Sequence, residues 1–382
     1  MADTTWLING KLIAPDGLRA GAVAIRNGRI AAIHRTAPGL GRAREGQTID
    51  LRGRYLAPGL VDLHVWGDPS TLAREVVAGG CTAFVSAIGP ETPEALIDRL
   101  EKIGGRGRGS DRAARANGDA GAGGARWLGA HLEGPFVNPA MAGALPKRWM
   151  RPPVAKELRQ LGRHASRIRM VTMAPELAGA IPAIRWMRKS GILVSLGHSQ
   201  ADAATTQRAV DAGASIVTHL FNGMRPFHHR EPGLVGIALT DPRIHAMVIL
   251  DGAHIGREAF NVALRCKGAN RLILVTDSIR YEHEGRHVDP SSGAYVLDGK
   301  STLAGSRLTM IEAVRRAVEF ARIPVSDAIR MASLNPARLV GRAADLGSLE
   351  IGKRADLIVF DSKFQLGLTL VGGVPIQSHR RA

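Results

Sequence analysis

The sequence has few of the residues that define disulfide-rich, membrane-spanning or nucleic-acid-binding proteins. Its two cysteines, Cys81 and Cys266, exclude a framework of several disulfides and a cysteine-rich zinc site. It contains no apolar run long enough to cross a membrane, and its opening, MADTTWLING, lacks the charged and apolar regions of a signal peptide. We therefore expect a cytoplasmic protein that does not span a membrane.

Basic residues are in excess, but they are not arranged as a nucleic-acid site. The chain has 51 lysines and arginines against 34 acidic residues, a formal charge of +17. The arginines are scattered among glycine and alanine, and no stretch alternates basic with aromatic residues as a base-stacking groove requires. We predict no nucleic-acid partner and attribute the excess arginine to a solvated surface.

Apolar runs of strand length alternate with helix-length segments from residue 58 onward, which is typical of repeated βα units. The eight runs are at 59–65, 81–88, 127–133, 168–174, 192–198, 215–220, 244–250 and 271–277. Because eight such units close a barrel, we predict an α/β protein with a (β/α)8 TIM-like barrel. The predicted helices are at 92–103, 177–190, 200–213, 256–268, 309–321 and 325–332.

Both ends of the chain carry short runs of β-prone residues. The opening runs are broken by Asn-Gly and Asp-Gly, which are strong hairpin signals, and GSLEIGKRADLIVFD near the other end closes with an alternating apolar run. We predict that 1–57 and 343–382 combine in one small β-sandwich around a barrel of 58–342. Residues 104–126, rich in glycine, alanine and arginine, are predicted to form a flexible insertion.

The residue that closes each apolar run is informative, because the chemistry of such a barrel lies at the C-terminal ends of its strands. Five of these ends carry a metal-binding or acid-base residue: His64, Glu133, His198, His219 and Asp277. A single histidine or aspartate there is usually a loop residue or a helix cap. The joint pattern is what indicates a site.

One carboxylate and two imidazoles that meet at a point form the ligand set of a catalytic divalent ion with one position open for water. We predict that Glu133, His198 and His219 bind one such ion, with His64 as a further candidate ligand. Asp277 is the expected acid-base residue, because a carboxylate near activated water can take its proton and pass it to a leaving nitrogen. The pattern therefore predicts a hydrolase that uses one bound divalent ion, either zinc or else iron, manganese or cobalt.

Nine motifs, in order along the chain, resemble those of the amidohydrolase superfamily. They are PGLVDLH (58–64), HLEGPF (131–136), GHS (197–199), THLFNGM (218–224), REPGLVG (230–236), DGAH (251–254), LVTDS (274–278), LAGSRLTM (303–310) and ASLNPARLVG (332–341). The chain looks most like the N-acetylglucosamine-6-phosphate deacetylase family, to which HLEGPF and THLFNGM are quite specific. The resemblance covers residues 56 to 361 and implies metal-dependent removal of acetate from an N-acetylated amino-sugar phosphate.

The resemblance implies the same metal ligands and the same acid-base residue, and it adds substrate contacts. His254 matches a residue that contacts the substrate and helps to polarise the carbonyl group. Asn222 and Gly223 match a side-chain and a backbone contact, and Arg230 matches a phosphate-binding arginine that comes from the neighbouring subunit in family dimers. A homodimer with a small-molecule substrate is therefore expected. The residues alone leave Arg230 open as a surface cation and Asn222 as a turn residue.

Three departures from the family pattern concern the ion count and the substrate. Relatives carry His-x-His after the first strand, a motif that supports a second metal ion. Trp66 stands at the position of the second histidine here, so we predict one bound ion. Leu145 stands where relatives have a sugar-contacting histidine, and losing such a contact costs about 1–3 kcal/mol if its partner stays buried. Arg280, Tyr281 and His283 replace small residues after the catalytic aspartate. Two alternatives stay open: a deacetylase of another N-acyl amino sugar or N-acyl compound, and a catalytically lapsed binding protein.

Overall fold

The structure, a computed structural model, describes part of the 382-residue chain, namely residues 4–35, 46–103, 123–279 and 285–376. The predicted insertion lies outside the described residues as far as residue 122, and so do Arg280, Tyr281 and His283. None of the helices in these ranges has the length and apolar character that a membrane crossing requires.

Strands and helices alternate along most of the chain. The strands, numbered in chain order, are β1 (Thr5–Ala14), β2 (Gly17–Arg26), β3 (Arg29–His34), β4 (Gln47–Asp50), β5 (Tyr55–Pro58), β6 (Leu60–Trp66), β7 (Cys81–Ile88), β8 (Arg126–Glu133), β9 (Ile168–Met173), β10 (Leu193–Leu196), β11 (Ile216–Val217), β12 (His245–Ile249), β13 (Leu272–Val275), β14 (Ser278–Ile279), β15 (Arg286–Val288), β16 (Tyr295–Leu297), β17 (Leu357–Phe360), β18 (Leu366–Val371) and β19 (Val374–Pro375). The α-helices are α1 (Pro69–Glu75), α2 (Pro93–Ile103), α3 (Ala155–Gly162), α4 (Ala180–Lys189), α5 (Ala203–Ala212), α6 (Gly233–Thr240), α7 (Arg257–Lys267), α8 (Met310–Ala321), α9 (Val325–Ala332) and α10 (Leu334–Leu339). Short 3-10 helices lie at Val76–Gly79, Pro139–Met141 and Lys147–Trp149.

Strands β6 to β13 form the barrel, each at a predicted apolar run. They lie side by side in sequence order, and every neighbouring pair is parallel. The eighth strand continues as β14, where Ser278 pairs with Val65 and Ile279 with Trp66, so that the sheet closes on its first strand. Parallel strands of this kind are buried on both faces, which is why they are apolar along their length. The predicted (β/α)8 barrel is confirmed.

The other large sheet combines both ends of the chain in the order β19-β18-β17-β5-β1-β2-β3, with β4 beside β1. Strand β17 shows how it joins the barrel, because its alternate residues belong to two cores. Leu357 and Val359 pack in the core of the terminal sheet, whereas Ile358 and Phe360 pack against the barrel. The β-rich domain made from both ends is confirmed, and the limits 1–57, 58–342 and 343–382 stay a prediction.

A buried ion pair connects the barrel to the terminal domain. Arg126 Nε donates to Asp356 Oδ2 at 3.0 Å, and the other oxygen of Asp356 accepts the Gly372 N–H at 2.6 Å. Arg126, predicted as the last residue of the insertion, is the first residue of β8.

Helix starts follow the local capping groups. The helix predicted at 200–213 begins later, at Ala203, because the Asp202 carboxylate accepts the Thr205 N–H at 2.7 Å and caps the first turn. The hydroxyl of Ser199, which precedes this helix, donates to Glu176 Oε2 at 2.7 Å.

Candidate active site

Three of the predicted site residues have a backbone conformation that side-chain-bearing residues rarely adopt. The angle φ is 48° at His198, 30° at His219 and 49° at Asp277, and each residue lies just beyond the end of a barrel strand. Such a conformation costs about 1–3 kcal/mol and persists only where the surroundings enforce it. All three side chains line one cavity, so the strained turns coincide with the site.

The predicted metal ligands converge on Glu133, the last residue of β8. Its Oε1 atom lies 3.0 Å from His198 Nε2 and 2.8 Å from His219 Nε2, and its Oε2 atom lies 3.4 Å from His64 Nε2. These four residues are at most 5% exposed. Burial would raise the pKa of the Glu133 carboxyl, but the surrounding imidazoles hold it well below its usual range. The structure thus brings together side chains from four parts of the barrel.

The second ring nitrogen of two histidines indicates what this space can hold. His198 Nδ1 lies 2.7 Å from the carbonyl oxygen of Met141, and His219 Nδ1 lies 3.2 Å from that of Asn222. Because a carbonyl oxygen only accepts, both Nδ1 atoms carry hydrogen, and a neutral ring then points its Nε2 lone pair at Glu133. Lone pairs facing a carboxylate repel unless a cation lies among them, and metal-bound histidines commonly donate their other nitrogen in this way. The donor set therefore fits a divalent ion.

His64 adds a third imidazole that faces the same carboxylate. Its Nε2 atom is buried, has no hydrogen-bond partner among the residues that the structure describes, and lies 3.2 Å from Asp277 Oδ1. Burial alone would lower the pKa of His64, but the carboxylates of Glu133 and Asp277 raise it to about 10. One ligand atom each of His64, Glu133 and His219 lies within 4.8 Å of the others. A protonated His64 and a bound cation are alternative ways to balance these carboxylates.

A chain of buried polar side chains behind His64 was not predicted from the sequence. His131 Nδ1 lies 2.8 Å from His64 Nδ1, and His131 Nε2 lies 2.7 Å from Thr172 Oγ1. The chain continues through the hydroxyls of Thr172, Thr218 and Ser195. Burial and the charge of His64 hold the pKa of His131 well below its ordinary value. The network fixes the His64 ring, and its one sequence signal is a polar residue inside each apolar run.

Hydrogen bonds of both its backbone and its side chain hold Asp277 beside the cluster. Its backbone N–H donates to the His64 carbonyl at 2.8 Å, and its Oδ1 accepts the indole N–H of Trp66 at 2.8 Å. Trp66 is the residue that departs from the His-x-His pattern. Its indole therefore orients the predicted acid-base carboxylate, a role that sequence reasoning missed.

The cavity at this end of the barrel has a volume of about 310 Å³. The described residues that line it are Trp66, Glu133, Gly143, Ala144, Leu145, His198, His219, Asn222, Gly223, His254, Asp277, Arg286, Ser301, Thr302, Leu303, Ala304 and Gly305. Trp66 and Leu145, two of the three departures from the family pattern, are neighbours in it. A Cβ atom added to Gly89 would lie 3.3 Å from the Trp66 ring and 3.8 Å from the Leu145 side chain, so both border the same point.

Asn222 and Gly223, predicted as substrate contacts, both line the cavity and also shape it. The Asn222 side chain donates to the carbonyl oxygens of His219 and Leu220 at 3.4 and 3.3 Å, which agrees with its reading as a turn residue. Gly223 has a φ of 61°, and a Cβ there would lie 2.9 Å from His198 Nδ1. Only glycine allows this close approach to the His198 ring.

His254, predicted to polarise the substrate carbonyl, also lines the cavity. Its Nδ1 atom lies 2.6 Å from Asp251 Oδ2, and Asp251 Oδ1 accepts the backbone N–H groups of Ala253 and His254. Burial would lower the pKa of His254, but the carboxylates of Asp251 and, farther away, Asp277 raise it. Because the carboxylate accepts a hydrogen bond from Nδ1–H, Nε2 carries a hydrogen and can donate when the ring is protonated.

Arg230 and Arg286 differ in their position relative to the cavity. Arg230 is exposed, its Nη1 lies 3.2 Å from His229 Nε2, and it is not among the described residues that line the cavity. The structure therefore does not bring Arg230 to the site of its own chain. Arg286, which the sequence did not single out, does line the cavity.

Comparisons with known proteins agree with this fold and geometry. The model of the amidohydrolase family matches residues 55–376. An N-acetylglucosamine-6-phosphate deacetylase of Bacillus subtilis is 34% identical over 377 residues, which are 93% of this chain and 92% of the relative. An N-acetylgalactosamine-6-phosphate deacetylase of Escherichia coli O157:H7 is 41% identical over 250 residues, 63% of this chain and 65% of the relative.

A solved structure extends the similarity to nearly the whole chain. A mutant N-acetyl-D-glucosamine-6-phosphate deacetylase from Mycobacterium smegmatis, in complex with N-acetyl-D-glucosamine-6-phosphate, has a TM-score of 0.86 and 29% identity, and covers 98% of this chain and 100% of its own. The chain belongs to the amidohydrolase family and, within it, to the N-acetylglucosamine-6-phosphate deacetylases. It is an enzyme of the hydrolase class, in a family that depends on metal.

Proposed function

We propose that this enzyme hydrolyses the N-acetyl amide of an N-acetylhexosamine 6-phosphate, giving glucosamine 6-phosphate and acetate when the sugar is N-acetylglucosamine. One observation supports this most strongly. His198 and His219 lie 3.0 and 2.8 Å from one oxygen of Glu133, and Asp277 lines the same cavity. The names of the relatives give the substrate class.

Glu133, His198 and His219 would hold one divalent ion, with His64 as a further ligand. We propose zinc, with iron, manganese or cobalt as alternatives, because this mixed nitrogen and oxygen set suits each of them. When bound, the ion polarises the acetyl carbonyl and makes water acidic enough to react at neutral pH. Trp66 takes the place of a second histidine, which favours one ion over two.

Asp277 is proposed to move the proton. It accepts a proton from the water that attacks the acetyl carbon, and it then donates that proton to the nitrogen as the carbon–nitrogen bond breaks. The products are acetate and the free amine. His254 is proposed to donate from Nε2 to the carbonyl oxygen, where negative charge develops. The raised pKa of His254 supports this role, since Nε2 donates in the protonated form.

An acetate-release assay with four sugars tests the proposal. Purified enzyme would be given N-acetylglucosamine and N-acetylgalactosamine, each with and without a 6-phosphate, before and after treatment with a chelator. We expect turnover of a phosphorylated sugar, its loss after chelation and its return with added zinc. The galactose epimer is included because the relative with 41% identity carries that name. Activity that survives complete metal removal would refute the proposed mechanism.

We also propose a cytoplasmic homodimer in which Arg230 reaches the cavity of a second subunit. The exposed position of Arg230, outside its own cavity, supports this, as does the neighbouring Phe227, which is 56% exposed. Cys81 and Cys266 are both thiols, in agreement with a reducing compartment. Light scattering coupled to size exclusion tests the assembly, and a fully active monomer would contradict it.

A further inference from the structure

Among the described residues, the cavity is lined by two carboxylates and one permanently charged cation. Glu133 and Asp277 line it, and Arg286 is the one arginine or lysine among the described residues that do so. A permanently charged guanidinium at the cavity attracts a phosphate ester, whose approach the carboxylates oppose. Arg230 of the same chain does not supply that group, because it lies outside this cavity.

Arg286 is held at the cavity wall by its backbone and by its guanidinium. It begins β15, where it pairs with Leu297 of β16, and its Nη1 donates to the Ala304 carbonyl at 3.1 Å. Ala304 belongs to the wall segment 301–305, all of which lines the cavity. A guanidinium carries five donors, so it can hold a wall carbonyl and the oxygens of an anion together.

The wall segment connects Arg286 to the reacting end of the site. Its neighbour Ser306 donates its N–H to the Asp277 carbonyl at 2.9 Å, and Tyr295 of β16 bonds to Gly305 at 3.1 Å and Ala304 at 2.7 Å. The end of the wall segment that is farther in sequence from Ser306 carries two hydroxyl-bearing residues, Thr302 and Ser301. Hydroxyl and guanidinium donors are the groups that bind phosphate oxygens.

We propose that Arg286, together with the hydroxyls of Ser301 and Thr302, binds the anionic group of the substrate within one chain and so sets the preference for a phosphorylated sugar. The inference rests on the proposed deacetylase function and adds a recognition residue to it. Arg286 acts from the same chain as the metal ligands, whereas Arg230 is proposed to act from a second subunit.

Substitution of Arg286 tests the proposal with an arginine elsewhere as its control. Arg286→Gln would be compared with Arg167→Gln, because Arg167 is also half-buried and donates from Nη1 to a backbone carbonyl, that of Leu100 at 2.9 Å, but does not line the cavity. The measurement is the ratio of kcat/KM for the phosphorylated sugar to kcat/KM for the free sugar. A second measurement is the binding of inorganic phosphate to each full-length protein by calorimetry.

We expect Arg286→Gln to lower this ratio at least about tenfold, mainly through KM, because a charge-assisted contact to phosphate is lost. Arg286→Lys should keep part of the ratio, since a lysine retains the charge but not the planar fork. Arg167→Gln should keep the wild-type ratio, and phosphate binding should weaken in Arg286→Gln alone.

The outcomes separate this inference from the proposed function. A wild-type enzyme that prefers the phosphorylated sugar, with the preference unchanged in Arg286→Gln, overturns the role of Arg286 and leaves the function standing. A wild-type enzyme with no such preference overturns both the phosphate requirement and the inference. If the wild type releases no acetate at all, the proposed function fails, and phosphate binding decides the inference: binding lost in Arg286→Gln supports it, and unchanged binding overturns it.

Discussion

The deep end and the outer wall of the cavity are built differently. At the deep end, Glu133, His198 and His219 are at most 5% exposed and lie at or just after the ends of barrel strands. The outer wall comes from the loop that carries Leu145 and from the segment 301–305, where most side chains are half-buried or exposed. Side chains on barrel strands are positioned by the sheet, whereas loop residues can change without disturbing it. Chemistry is therefore expected to depend on the deep end and substrate choice on the wall.

Asp277→Asn is the strongest test of the deep end. The amide keeps the shape of the side chain but cannot take a proton, so we expect kcat to fall about 1,000-fold or more. Bound metal per subunit should stay at the wild-type level, because Asp277 is not one of the predicted ligands. The measurements are acetate release and metal content by mass spectrometry. A variant that retains a tenth of wild-type kcat would show that another group moves the proton.

The strand ends could be predicted because parallel barrel strands are continuously apolar, so that a charged or imidazole residue at their end is conspicuous. The network through His131 and Thr172 could not be predicted, because a polar residue inside a run does not reveal what it faces across the barrel. The Trp66–Asp277 bond joins residues 211 positions apart and depends on how β14 closes the barrel. Arg286 could not be predicted as a site residue, because nothing in the sequence distinguishes it from the many other arginines of this chain.

Asp251→Asn tests the histidine that links the deep end to the substrate. Asp251 raises the pKa of His254, so the protonated ring is present below that raised pKa and is lost as the pH rises through it. If Nε2–H donation is needed, kcat/KM declines on the alkaline side at the raised pKa. Asp251→Asn removes the larger of the two causes that raise this pKa, so the alkaline limb should move to lower pH, with a loss of about 10- to 100-fold at neutral pH. An unchanged alkaline limb would mean that His254 acts as a neutral ring.

Trp66→Phe tests a residue that contacts both regions, because Trp66 bonds to Asp277 and lies near Leu145 of the wall. The substitution keeps an aromatic ring beside Leu145 but removes the N–H that Asp277 accepts, so we expect kcat to fall about tenfold with little change in KM. Trp127→Phe is the matched control, because the Trp127 indole donates to Ser86 Oγ at 2.9 Å and does not line the cavity. Equal losses in both variants would indicate a general effect of removing an indole.

Leu145→His tests the wall and should have the smallest effect. If the substrate is a hexosamine phosphate, a histidine at this half-buried position can reach a sugar hydroxyl that leucine leaves without a partner. We expect KM for the phosphorylated sugar to fall about three- to tenfold while kcat changes little, since one recovered hydrogen bond contributes about 1 kcal/mol. Val154→His, at an exposed apolar position outside the cavity, controls for the added imidazole. A rise in KM would instead mean that the surface formed by Trp66 and Leu145 binds an apolar part of a different N-acyl substrate.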